Sequence, residues 1–366
     1  MTVSELNEHI LIHGSSKSGK TERLMQIIRE KSRAGISSFV SDTKGECISL
    51  LMNPDDQCPY PIELWDTRGE QGLPMRTSVS DLGPTLLTRM LELNSIQEGL
   101  LRLCYRMEDE NGYLLLDLPD LQALLSFIQK QPSSVPSEYG QVSVPSLSAI
   151  ARRLLKFQDE GLAPFFGEPA LDTRDLISWG GQMGQINLLH CVGIVQHKAF
   201  YETVFLWLLS ALIEECPESG EIRFAIGIEM GDSCFIDAQL FDLLLRRGIQ
   251  LILVSEKILS NLPDSAHVIE VTGRAQPILR RSMRLDQDSR LYKKYKQALD
   301  PPSAREMLSE RITAIENQVL IAEGSKAKKK KGFSFLERMA SSAASTVGRE
   351  FGKELSRGIL DILKRK

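Results

Sequence analysis

The chain has 366 residues, 42% hydrophobic and 25% charged, which is enough to bury a core of ordinary size without disulfide or metal staples. A net charge of −4 carries no overall signal for nucleic acid. The balance is uneven, however. From Gly324 onward 12 Lys and Arg stand against 4 Asp and Glu, so an acidic body precedes a basic tail suited to an anionic partner or to the body itself.

Residues 9–13 form a short apolar run that stops at Gly14, and a helical pattern opens at Lys20. Segments 36–42 and 62–66 read as a second and a third strand. Helical periodicity then fills 84–130, with a break at Asn111 and Gly112, and 131–145 is a loop rich in Pro, Ser and Gly. Residues 147–158 are helical, with Arg152, Arg153 and Lys156 on the polar side. A strand pattern returns at 185–190 and is followed by a long helix at 199–215. The apolar stretch 204–213 within that helix lies between Glu202 and Glu214 and is too short to span a bilayer, so no transmembrane segment is expected.

Runs 222–228, 249–255 and 268–271 read as strands, with a helix at 238–247 and a candidate edge strand at 280–284. Beyond Asp286 the chain is helical and highly charged. Residues 326–331 form a basic linker, and 333–366 an amphipathic helix whose stripe runs through Leu336, Ala340, Ala343, Val347, Phe351, Leu355, Ile359 and Ile362. Alternating strands and helices predict a mostly parallel, doubly wound α/β sheet. The helical block before residue 185 is too long for one crossover and reads as an inserted all-α subdomain.

Six cysteines, Cys47, Cys58, Cys104, Cys191, Cys216 and Cys234, lack metal-ligand spacing, and no secretory signal precedes them. Buried free thiols in a cytoplasmic protein are expected. His9, His13, His190, His197 and His267 form no metal pattern, and Trp65 and Trp207 read as core.

The motif with chemistry is Gly14-Ser15-Ser16-Lys17-Ser18-Gly19-Lys20-Thr21. It meets the full P-loop pattern, including the apolar strand before it and the helix after it. Gly14 and Gly19 let the backbone curl so that its N–H groups converge on phosphates, and the helix N-terminus adds positive potential. Lys20 supplies a point charge for the β and γ phosphates, and the Thr21 hydroxyl is a ligand for Mg²⁺. ATP with Mg²⁺ is therefore the expected cofactor pair.

Hydrolysis needs a carboxylate at a neighbouring strand end. The run 222–229 ends in Glu229, a candidate water-activating base or an ordinary solvent-facing residue, and the position before it is Ile228 rather than Asp. Asp232 lies too far along to be equivalent. The strand at 249–254 leads into Ser255 and Glu256, and an ionised Glu can only accept hydrogen bonds beside a phosphate. A strong cradle is thus joined to a weak catalytic half.

The chain resembles the HerA/FtsK branch of P-loop ATPases, in particular the bacterial HerA-like proteins of the YjgR type. The P-loop, Ser41-Asp-Thr-Lys-Gly-Glu46, Leu64-Trp-Asp-Thr-Arg-Gly-Glu-Gln-Gly72, Ser78-Val-Ser-Asp-Leu-Gly-Pro84, Gly112-Tyr-Leu-Leu-Leu-Asp117, Phe165-Phe-Gly-Glu-Pro169 and the tail from Met339 carry the likeness. The resemblance implies a RecA-like α/β core with a helical insertion, a homo-oligomer built as a hexameric ring, ATP and Mg²⁺ binding, and DNA as a partner. On that basis 1–83 is the N-terminal part of the core, 84–180 the helical insertion, 181–285 the C-terminal part of the core, 286–325 a helical extension, and 326–366 the basic linker and amphipathic helix.

Departures from the family pattern fall in the C-terminal half of the core. Ile228-Glu229 stands for Asp-Glu, Ser255-Glu256 for Ser-Gln, and Leu245 for an arginine, with Arg246 and Arg247 adjacent. The segments before residue 249 and between 271 and 284 are also shorter. Loss of a charged group beside the phosphates lowers phosphoryl-transfer rates by about 10²–10³. The expectation is ATP binding with slow or absent hydrolysis.

Three readings stay open at this point. One is an ATP-hydrolysing DNA motor with Glu229 as base. Another is a non-catalytic assembly or regulatory subunit that uses ATP to order a ring. The third makes the tail the active element, through self-assembly or docking on a protein partner, nucleic acid or a membrane surface. Lys44 is either a phosphate or neighbouring-subunit contact or a solvated turn residue, and Arg152 and Arg153 are either phosphate contacts or a solvated helix face.

Overall fold

The computed structural model describes residues 7–52, 60–131, 142–177, 182–231, 234–275, 278 and 283–324, with side chains as far as 314. The basic linker, the C-terminal amphipathic helix, Cys58 and Asp232 lie outside the described residues, as does most of the proposed edge strand at 280–284. The chain divides into two compact units. Among the described residues one comprises 7–77 and 169–298, and the other 78–168 and 299–324.

The first unit is built on β1 (Ile10–His13), β2 (Ser37–Asp42), β3 (Ile62–Asp66), β4 (Leu73–Pro74), β5 (Ile186–His190), β6 (Phe224–Glu229), β7 (Ile249–Ser255) and β8 (His267–Glu270). These form one sheet in the order β4-β3-β5-β2-β6-β7-β1-β8. Every pairing is parallel, so the sheet is more uniform than the mostly parallel one expected. A parallel sheet needs cover on both faces, and its strands are accordingly near-continuous apolar runs. The helices α1 (Lys20–Arg33), α2 (Cys47–Leu51), α7 (Lys198–Glu215), α8 (Ala238–Arg246) and α9 (Arg290–Tyr295) belong to this unit.

Strand alternation sorts the two faces. Ile10 and Ile12 of β1, Val40 of β2 and Ala225 of β6 pack with Leu24, Met25, Ile27 and Ile28 of α1 in one buried cluster. On the other face Phe39 of β2 meets Phe205 of α7 edge-on, with ring centroids 6.2 Å apart. The α7 helix is buried on nearly all sides, as its unbroken apolar run requires. Trp65 is fully buried as expected and packs edge-on against Tyr295 at 5.2 Å.

The second unit holds α3 (Val79–Met90), α4 (Ser95–Asn111), α5 (Leu118–Lys130), α6 (Val144–Asp159) and α10 (Ala304–Gly324). Side chains fix its helix starts. Ser78 caps α3, Asn94 and Gln97 make a reciprocal capping box on α4, and Asp117 with Asp120 does the same on α5. The α3 helix begins five residues earlier than its periodicity suggested, because Gly83 (φ 77) breaks it just before Pro84. The charged segment after 299 joins this unit. Asp120 accepts from Ser303 Oγ at 2.5 Å and from the Arg305 amide at 3.0 Å, and the Ala304 amide bonds the Leu114 carbonyl at 2.9 Å.

Candidate nucleotide-binding site

β1 ends at His13, and the chain curls through residues 14–19 into α1. The curl needs glycine at two places. A Cβ on Gly14 would lie 2.3 Å from the Val271 carbonyl oxygen and 2.7 Å from Ser18 Oγ. Gly19, the residue before the helix, has φ 100, which L side chains rarely adopt. Lys17 also sits at positive φ (61), a strained position that its residue type does not announce. Two tertiary hydrogen bonds anchor the loop. The Val271 amide donates to the His13 carbonyl, and the Ala275 amide to the Lys17 carbonyl, both at 2.8 Å.

The start of α1, like those of α2, α6 and α7 and unlike those of α3, α4, α5 and α8, has no side-chain cap; Gly19 offers none. Among the described residues no acceptor engages the amides of Lys20 and Thr21. Ser18 is 3% exposed, and its Oγ has no hydrogen-bond partner among the described residues. Buried polar groups are rarely left unpaired, so such a loop is built for a polar ligand. Ser15, Ser16 and Lys17 stay exposed at its rim.

Lys20 is 6% exposed, and its ammonium folds back onto the Gly14 carbonyl at 2.6 Å and the Ser15 carbonyl at 2.8 Å. Burial pushes its pKa down. The charge of Glu256 opposes that shift, Lys44 adds to it, and Glu229 opposes it. A buried cation on two carbonyls beside open amides fits a polyphosphate.

Glu229 ends β6 and faces α1. A Cβ on Gly227, two residues back on the same face, would lie 3.1 Å from Leu24 of α1. Ile228 therefore points to the opposite face, where it is fully buried. The Glu229 main chain is held by Ser41 Oγ, which accepts its amide at 2.9 Å, and by the Tyr201 hydroxyl, which donates to its carbonyl at 2.9 Å. Its side chain is clamped by consecutive residues. Thr43 Oγ1 donates to Oε2, and Lys44 Nζ lies 3.1 Å from Oε1. Lys44 Nζ also reaches Thr21 Oγ1 at 3.4 Å.

Lys44 is thus set between the P-loop and the β6 carboxylate, a placement the sequence left open. Thr43, Ser41 and Tyr201 went unassigned; their position in the 41–46 motif was the available signal for the first two. Ser255 at the end of β7 donates its hydroxyl to the Lys257 carbonyl, and Glu256 is exposed.

A divalent cation suits these residues less well than a polyphosphate does. Mg²⁺ sits about 2.1 Å from its oxygen ligands. Here the Thr21 hydroxyl already has an ammonium 3.4 Å away, and both oxygens of Glu229 are bonded. No group of three His, Cys, Asp or Glu among the described residues could hold a metal.

Several other motifs prove to be turns and caps. Asp42 accepts the amides of Glu46 (3.0 Å) and Cys47 (3.2 Å) ahead of α2. Asp66 accepts those of Arg68, Glu70 and Gln71 at 2.8, 3.0 and 2.8 Å. Arg152, Arg153 and Lys156 are exposed on α6, and the last two pair with Glu92 and Glu160 at 3.5 Å. Arg247 donates to the Cys216 carbonyl at 3.0 Å. Cys47, Cys104, Cys191 and Cys216 are buried free thiols, and Cys234 is half-buried with its Sγ 3.5 Å from the Ile236 carbonyl. No helix of the described residues is long and apolar enough to cross a membrane.

An all-parallel sheet whose first strand delivers a glycine-lysine-threonine loop into a helix defines a P-loop protein with a RecA-like core. Residues 1–224 match the family model described as Helicase HerA-like C-terminal, and the chain belongs to that family. The match ends at the first residue of β6. Among solved structures, the bacterial conjugative coupling protein TrwBΔN70 in its unbound monoclinic form is 12% identical (TM-score 0.46), with 70% of this chain and 64% of that one covered. TrwB in complex with ADP and Mg²⁺ is 14% identical (TM-score 0.45; 69% and 65% covered). VirB4 of Thermoanaerobacter pseudethanolicus is 13% identical (TM-score 0.37; 68% and 70% covered). The chain spans less than two thirds of the length of the first of these. No curated protein matches it.

Proposed function

We propose that this chain binds ATP at residues 14–21 and hydrolyses it slowly or not at all. The observation that carries the reading is the uncapped loop itself. Its amides at Lys20 and Thr21 and the Ser18 hydroxyl are unengaged among the described residues, around a lysine held 6% exposed. A phosphate chain would satisfy all of them and draw the Lys20 ammonium off two neutral carbonyls onto an anion.

Slow turnover follows from the other half of the site. A base must be free to polarise water, and Glu229 is bonded through both oxygens. No second carboxylate sits before it on the strand, since Ile228 lies on the far face. Assembly into a ring and action on DNA come to this proposal from family membership; turnover with and without DNA tests them.

Calorimetry with ATP is the direct experiment. Wild type should bind, and Lys20→Ala should weaken binding by about 100-fold, since it removes charge-assisted hydrogen bonds. Steady turnover by wild type should stay well below about 1 s⁻¹, the low end of kinase-like rates. Ordinary turnover that Lys20→Ala abolishes would overturn the second half of the proposal, and absence of binding would overturn both halves.

A further inference from the structure

We infer that Lys44 is a built-in cation of the nucleotide site, its ammonium linking the Thr21 hydroxyl to the β6 carboxylate and doing there the charge-neutralising work of a divalent metal ion. The inference rests on the nucleotide-binding reading above and adds that binding does not depend on Mg²⁺.

Three observations converge on it. First, Lys44 Nζ is 3.4 Å from Thr21 Oγ1 and 3.1 Å from Glu229 Oε1, so one cation spans the two groups. Second, the arrangement is over-determined. Thr43 binds the other oxygen of Glu229, while Ser41 and Tyr201 fix its main chain. Strand pairing sets the distance, because β2 and β6 are neighbours with Val40 opposite Gly227, and Lys44 follows β2 by two residues. Third, Ile228 on the opposite face supplies no second carboxylate, so Glu229 meets the Lys44 ammonium at Oε1 as the strand's only carboxylate at this end, with the charge of Lys20 also within its reach.

The chemistry of the replacement is definite. An ammonium has three N–H donors, two of them directed here to Thr21 and Glu229, with capacity left for a phosphate oxygen. It carries one positive charge and imposes no octahedral geometry. It can therefore neutralise a bound polyphosphate without ordering the attacking water and the leaving oxygens, as a metal does. A metal bound about 2.1 Å from Thr21 Oγ1 would be crowded against the ammonium, so Mg²⁺ and Lys44 in its present place compete. With its side chain 45% exposed, Lys44 can be replaced without opening the core.

The test is ATP affinity by calorimetry in excess Mg²⁺ and in excess EDTA, for wild type, Lys44→Met and Lys44→Arg. Wild type should bind with constants within about threefold in the two conditions, because its own cation is present in both. Lys44→Met should bind in Mg²⁺ but lose about 10-fold or more in EDTA. Lys44→Arg, which keeps the charge, should restore tolerance of the chelator. Wild-type binding that EDTA abolishes overturns the inference and leaves the nucleotide reading intact. So does a Lys44→Met protein as tolerant of EDTA as wild type. Failure of wild type to bind in either condition removes the nucleotide reading and this inference with it.

Discussion

His9 gives the sheet unit a pH dependence that can be worked from its surroundings. The residue precedes β1 and is 1% exposed. Its Nδ1 accepts the Leu251 amide at 2.9 Å, which places the ring proton on Nε2, and Nε2 donates to the Phe241 carbonyl at 2.9 Å. Both nitrogens are thus committed to the neutral form. Burial pushes the pKa from 6.5 down to about 4, with the Phe241 carbonyl and the charge of Asp242 pulling partly back.

The unfolded chain takes up a proton below pH 6.5, and the folded one does not until about pH 4. Between those values the unfolded state holds more protons, so stability is complete above pH 6.5 and falls as pH falls. The full interval corresponds to about 3 kcal/mol, and the part down to about pH 5 to about 2 kcal/mol. Trp65 and Trp207 are buried in the sheet unit, so tryptophan emission during urea unfolding reports on that unit. His9→Gln keeps an acceptor and a donor but cannot titrate. Between about pH 7.5 and pH 5 the variant should lose about 2 kcal/mol less than wild type does. Parallel losses in the two proteins would refute the assignment. Glu306, whose carboxyl is held down to about 2 by Ser303 and Arg305, titrates below this window and in the helical unit.

Two further outcomes follow from the geometry. Gly14→Ala forces a methyl against the Val271 carbonyl and should destabilise the sheet unit by about 1–3 kcal/mol in the same urea assay, while lowering ATP affinity. Asp175→Ala removes the acceptor of the buried Tyr295 hydroxyl (2.7 Å) along with the pairs to Lys294 (2.6 Å) and Arg290. Its cost of about 1–3 kcal/mol should come mostly from Tyr295, because the two cations regain water. Tyr295→Phe combined with Asp175→Ala should then add only the loss of the Asp172 amide bond to the Tyr295 hydroxyl (3.0 Å), about 1 kcal/mol, measured as urea midpoints.

The family motifs outside the P-loop are chiefly architectural. Asp42, Asp66, Ser78 and Asp117 each spend their side-chain oxygens on nearby backbone amides, which fixes loops and helix starts. Such motifs identify a fold while saying little about chemistry, and the same holds for the C-terminal half of the core. There the departures at Ile228 and Glu256 are legible in the sequence, but their consequence depends on what stands opposite them.

What the sequence alone determined is what is local. The loop at 14–21 keeps its glycines, lysine and threonine within eight consecutive residues, so spacing by itself specified the cradle. Helix and strand periods marked most elements, because burial on one face leaves a repeating trace along the chain. The two-residue β4 and the five-residue α2 are too short to leave one. Tertiary structure alone decided the pairing of Lys44 with Glu229, 185 positions apart, since that depends on β2 and β6 becoming neighbours in a sheet whose strand order is not the chain order. It also decided that the segment after 299 joins the helical unit through Asp120. Strand order and docking arise from long-range burial, which joins residues whose separation in sequence carries no imprint of their contact.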